Sequence, residues 1–85
     1  MFDLNGDVLV VSLPTGKSQR ELVKEAREEI REMIKKGCFY GKHLKVTGRI
    51  TTGMAMVLGH ELAHVCKSVS LFDPKENEYI CVITH

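Results

Sequence analysis

Two histidines four residues apart enclose a glutamate in the string His60-Glu61-Leu62-Ala63-His64. On a helix this spacing puts both imidazoles on one face, where they can reach a single metal ion. The string also matches H-E-x-x-H, in which the Glu serves as general base of a zinc metallopeptidase. No third ligand is obvious on a downstream helix, and 85 residues leave little scaffold for a peptide cleft. The plainer alternative is a pair of half-buried histidines bonded to backbone.

A second group precedes that string. Gly48-Arg49-Ile50-Thr51-Thr52-Gly53 reads as a loop from a strand's carboxyl end into a helix N-terminus. Open α/β sheets bind ligands at such places. Backbone N–H groups of Gly48 and Thr51 and the helix dipole favour an anion there, and Arg49 can fork onto a phosphate. The alternative is an exposed Arg in a capped loop. Asp73, in Phe72-Asp73-Pro74, ends a strand at the same edge, although Asp before Pro also opens ordinary turns. His85 follows the last strand, where terminal residues often fray. Thr15-Gly16-Lys17-Ser18 looks like the tail of a phosphate loop, but the required earlier Gly is Val11, so a turn and helix cap are expected instead.

The elements that must position these residues follow from the apolar pattern. Val8 to Leu13 is a Val-rich run bounded by Gly6 and Pro14, as expected of a buried strand. Ser18 and Glu21 form a capping box ahead of Leu22, Ala26, Ile30, Met33 and Ile34 at helical spacing, and Gly37 closes that helix. Leu44 to Thr47 is a second strand. Thr51 or Thr52 caps a helix to about Cys66 that is apolar nearly all round, and so expected to be more buried than the first. Val69 to Phe72 and Tyr79 to Thr84 make the last two strands, joined by a turn short enough for an antiparallel hairpin. The order β-α-β-α-β-β predicts an α/β fold, a minimal Rossmann-like sheet with an antiparallel last strand, in one domain over residues 1–85.

Composition bounds the rest. A hydrophobic fraction of 44% without Trp supports one modest core, and domains this small often need a metal, disulfides or a partner subunit. Net charge is +1; seven of the twelve Lys and Arg lie between Lys17 and Lys36, interleaved with five Glu, as on a solvated helix face. Cys38, Cys66 and Cys81 are odd in number and lack CxxC spacing. With no leader-like N-terminus and no membrane span, they point to a cytoplasmic protein.

Taken together, the second-half residues resemble the small CRISPR-associated ring-nuclease family known as Csx-three. The likeness rests on Gly48-Arg49-Ile50, the apolar helix with His60-Glu61-Leu62-Ala63-His64, the run Val69-Ser70-Leu71-Phe72-Asp73-Pro74, and Tyr79-Ile80-Cys81-Val82-Ile83-Thr84-His85. These segments cover nearly half the chain in order and with matching spacing. The first half is similar only in its strand–helix layout. The resemblance implies a dimeric relative of the CRISPR-associated Rossmann-fold sensors. It further implies a manganese-dependent ribonuclease acting on cyclic tetra-adenylate, the second messenger of type III CRISPR defence, and on RNA 3′ ends. His64 and Asp73 would then be the catalytic pair, with His60, His64 and His85 at the metal. Many relatives continue past the last His, whereas this sequence stops there, so its terminal carboxylate would add a ligand or loosen the site. A binding module for oligoadenylate or RNA, without turnover, is the competing expectation.

The strand order adds a geometric expectation. Arg49, Thr51 and Asp73 belong to the carboxyl edge of the parallel strands, while the second helix carries His64 back to the opposite edge. The antiparallel last strand returns His85 to the His64 end. A six-residue strand spans roughly 20 Å, so His64 and Asp73 of one chain should not touch the same phosphate. Either Asp73 and the histidines serve different sites, or a second molecule docked head to tail completes the centre. We favour the second, and such heterologous contacts can propagate into filaments.

Overall fold

Alternating apolar residues on three central strands explain where the core lies. In the computed structural model, which describes residues 1–85, the chain runs β1 (Phe2–Asn5), β2 (Val8–Val11), α1 (Gln19–Lys35), β3 (His43–Gly48), α2 (Thr52–Ala63), β4 (Ser68–Asp73) and β5 (Glu78–Thr84). The five strands form one sheet in the order β1-β2-β3-β4-β5. β2, β3 and β4 are parallel, and both edge strands are antiparallel to their neighbours. The molecule is therefore a small mixed α/β fold, with its last strand antiparallel as expected.

One strand was not legible. The expected order β-α-β-α-β-β omits β1, so the observed order is β-β-α-β-α-β-β. Phe2-Asp3-Leu4-Asn5 alternates apolar and polar over only four residues, too short a signal to stand alone. Gly6, at φ 61°, supplies the left-handed turn that folds it onto β2, pairing Asn5 with Val8 and Phe2 with Val11. The second helix also stops earlier than Cys66, because His64 already caps it.

Leu9 and Val11 of β2, Leu44 and Val46 of β3, and Val69 of β4 point to one side. There they meet Leu22, Ala26 and Ile30 of α1 and Met54, Leu58 and Leu62 of α2. Both helices thus share one face of the sheet. The spacing of Leu22, Ala26 and Ile30 is one turn each, which gives α1 a narrow apolar stripe. Ser18 closes the capping box with Glu21 at its start, and Gly37, at φ 79°, follows its end. α2 buries five of its twelve residues against three of seventeen for α1, as its composition suggested, yet Met56 stays exposed. Phe39, in the loop after α1, is fully buried beside Cys66 and was not marked by any periodic pattern.

The face without helices carries the alternate residues. Phe72 and Tyr79 meet edge to face there with ring centroids 5.3 Å apart, and the Lys45 ammonium lies 5.5 Å from the Tyr79 ring. No helix is long and apolar enough to cross a membrane.

Candidate functional site

The two groups of chemistry-bearing residues lie at opposite ends of α2. At its N-terminus, Thr51 is the cap: its hydroxyl accepts from the Met54 N–H at 3.2 Å and from Gln19 Nε2 at 2.8 Å, which ties the loop to α1. Gly48 ends β3 at φ 109°, and a Cβ there would collide with the Val11 carbonyl, so only glycine brings this loop so close to β2. The Arg49 N–H donates to that same carbonyl at 3.1 Å. An open cleft of about 330 Å³ lies between this loop and the end of β4, lined by Gly48, Ile50, Thr51, Thr52, Leu71 and Phe72 among others. Asp73 follows two positions after the last β3–β4 register pair, Val46 with Leu71. Its Oδ1 accepts from the Lys75 N–H at 2.9 Å, so the residue does open the hairpin turn.

The opposite end of α2 holds the histidines. His60 and His64 place their rings edge to face with centroids 5.1 Å apart, the outcome expected of one helical turn between them. Glu61, between them, turns inward and is the only charged residue that is buried. Arg31 reaches it from α1 as a fork, with Nε 2.9 Å from Oε1 and Nη2 3.2 Å from Oε2. Those hydrogen bonds hold the Glu61 carboxyl below the ordinary range, against the opposing effect of burial. Both oxygens of this carboxylate are thus engaged within the chain, Oε1 by Arg31 and Oε2 by Arg31 and His60. Arg31 escaped the sequence reading because its spacing matched an ordinary solvated face. The signal for it was a lone glutamate in an otherwise apolar helix, which requires a cation nearby.

His85 lies beyond β5, its N–H donating to the Lys67 carbonyl at 2.9 Å, next to the start of β4. Asp73 ends the same strand six residues on. The structure thus brings Arg49, Thr51 and Asp73 to one edge, and His60 and His64 to the other end of α2. His85 sits at the start of β4, but no group of three His, Cys, Asp or Glu side chains is gathered closely enough to hold a metal ion. His60 and His64 share one helix face at the spacing by which two imidazoles can reach a single ion, without a third such side chain beside them. His43, the fourth histidine, bonds Ser68 through Nδ1 at 2.8 Å on the open sheet face. No protein-family model, curated protein or solved structure matches this chain significantly.

Proposed function

We propose that this chain is a manganese-dependent ring nuclease of the cytoplasm, a minimal Rossmann-like domain that binds and opens cyclic tetra-adenylate and also trims short RNA 3′ ends. The observation that carries the reading is the separation of two half-sites along α2. A cleft lined by Gly48 and Thr51, with Arg49 and Asp73 next in sequence to its lining residues, lies at one end, and an exposed histidine pair at the other. A twelve-residue helix is about 18 Å long, so the two halves meet only when one molecule's cleft docks on another's histidines. Homodimers joined head to tail provide that contact.

Within such a centre, Arg49 and the α2 N-terminus hold phosphate oxygens of the ring. Asp73 or His64 takes the proton of the 2′-hydroxyl as it attacks the adjacent phosphorus, and the leaving 5′-oxygen is protonated by the other partner. His60 would hold Mn²⁺, with His85, which returns to the same end of its own chain, as a further ligand. His64, with a single lone pair, is kept for proton transfer. The ion, when bound, stabilises charge on the scissile phosphate. A 2′,3′-cyclic phosphate product would support attack by the 2′-hydroxyl, and its absence at all times would favour water.

Incubating the protein with cyclic tetra-adenylate, with Mn²⁺ and with a chelator, tests the proposal. Linear products only in Mn²⁺ are expected. A ring that binds but stays intact would make the protein a sensor, and a ring that neither binds nor opens would end this reading.

A further inference from the structure

Glu61 remains without a role in the scheme above, although a buried charge is costly unless it is paired. Its partners are the Arg31 fork from α1 and His60 Nδ1, 3.1 Å from Oε2. The three groups form a line from α1 across Glu61 to the solvent side of α2, where the His60 side chain is about 70% exposed. An ionised carboxylate has acceptors only. The ring nitrogen that faces it must therefore carry a hydrogen, and the other nitrogen of a neutral ring keeps its lone pair.

We propose that Glu61, steadied by Arg31, fixes His60 as its Nδ1–H tautomer and so presents Nε2 as the nitrogen that meets a divalent cation. Glu61 and Arg31 are positioning residues: neither touches the ligand, and both act through the His60 ring. The arrangement is the one by which carboxylates orient metal-binding imidazoles from behind. It also makes the two histidines unequal. His64 has a ring contact with His60 but no carboxylate bond, so only His60 has its tautomer set by the fold. The H-E pair thus retains a purpose in which Glu61 never handles a proton of the substrate.

What Nε2 meets rests on the nuclease reading; the tautomer does not. Long-range ¹H–¹⁵N correlation spectra of the full chain, at a pH where the rings are neutral, report which nitrogen of each histidine carries the hydrogen. Nδ1–H is expected for His60 in the unaltered protein, and Glu61→Ala should return it to the Nε2–H form that free histidine prefers. A wild-type His60 in the Nε2–H form, or a signature unchanged by Glu61→Ala, overturns the assignment. The wild-type spectrum decides alone if that variant does not fold. Titrating Zn²⁺ alone, followed through the ring C–H signals, tests the second part: Glu61→Gln should weaken binding about 10- to 100-fold. Equal affinity in both proteins overturns the positioning role. Neither readout needs RNA cleavage, so a failure here and a failure of the nuclease reading are told apart.

Discussion

His60 and His64 meet ring edge to ring face, their centroids 5.1 Å apart and their planes inclined at 80°. They sit on the last turn of α2, with His64 itself as the C-cap. Both side chains are exposed, and each can be removed without opening the core. In the proposed centre they differ in duty. His64→Ala should lower cleavage of cyclic tetra-adenylate by at least about 100-fold at any Mn²⁺ concentration, the size expected for losing a proton-transfer group. His60→Ala should instead raise the Mn²⁺ concentration needed for half-maximal rate. Equal and metal-independent losses in both variants would contradict this division.

Gly48 couples the fold to the cleft. A Cβ at this position would strike the Val11 carbonyl, which already accepts from the Arg49 N–H. Gly48→Ala should therefore cost about 2 kcal/mol or more, read as a lower urea midpoint with an unchanged slope. The same change should loosen the Arg49 loop. An unaltered midpoint would show that β2 and β3 separate easily at their ends.

Arg49 is exposed and its side chain has no protein partner. It is thus available to a phosphate. Arg49→Ala should weaken binding of cyclic tetra-adenylate by about tenfold or more, the loss of one or two charge-assisted hydrogen bonds. Arg49→Lys should restore only part, because a lysine cannot make the two-toothed contact. Isothermal titration on a cleavage-dead Asp73→Asn background would give both numbers.

Glu61 gives acid sensitivity with a definite sign. Its folded-state value is lowered by the Arg31 hydrogen bonds, so the folded protein holds this proton less tightly than the unfolded chain. The contribution is fully present above the unfolded value of about 4.3 and disappears as pH falls through the folded one. Urea unfolding along a pH series should show the wild type losing more stability below about pH 4.3 than Glu61→Gln, which has nothing to titrate there. Glu21, also lowered through its bonds to Ser18, is common to both proteins and cancels in the comparison. Parallel curves would mean that Arg31 does not discriminate between the two forms of Glu61.

The parts of this molecule that were legible in the sequence are those with local causes. The capping box at Ser18, the stripe of Leu22, Ala26 and Ile30, and the Thr51 cap each depend on residues within a few positions of one another. β1 was missed because its four residues gain their strand identity from pairing with β2. Phe39 was missed because no periodicity marks an aromatic residue in a loop, and only the gap between α1 and β3 makes it core. Arg31 was missed for the same kind of reason: its partner is thirty residues away on another helix. The histidine pair was read from spacing alone, whereas Glu61's commitment to Arg31 required the packing of α1 on α2.

The most direct measurement is complementation between two inactive proteins. Asp73→Ala retains the histidine pair and His64→Ala retains the cleft end, so each lacks one half of the proposed centre. Mixed in equal amounts and allowed to exchange, they should regain cleavage of cyclic tetra-adenylate, to roughly a quarter of the wild-type rate if contacts form at random. A mixture as inactive as its components, under conditions where the wild-type protein opens the ring, would contradict a centre shared between subunits.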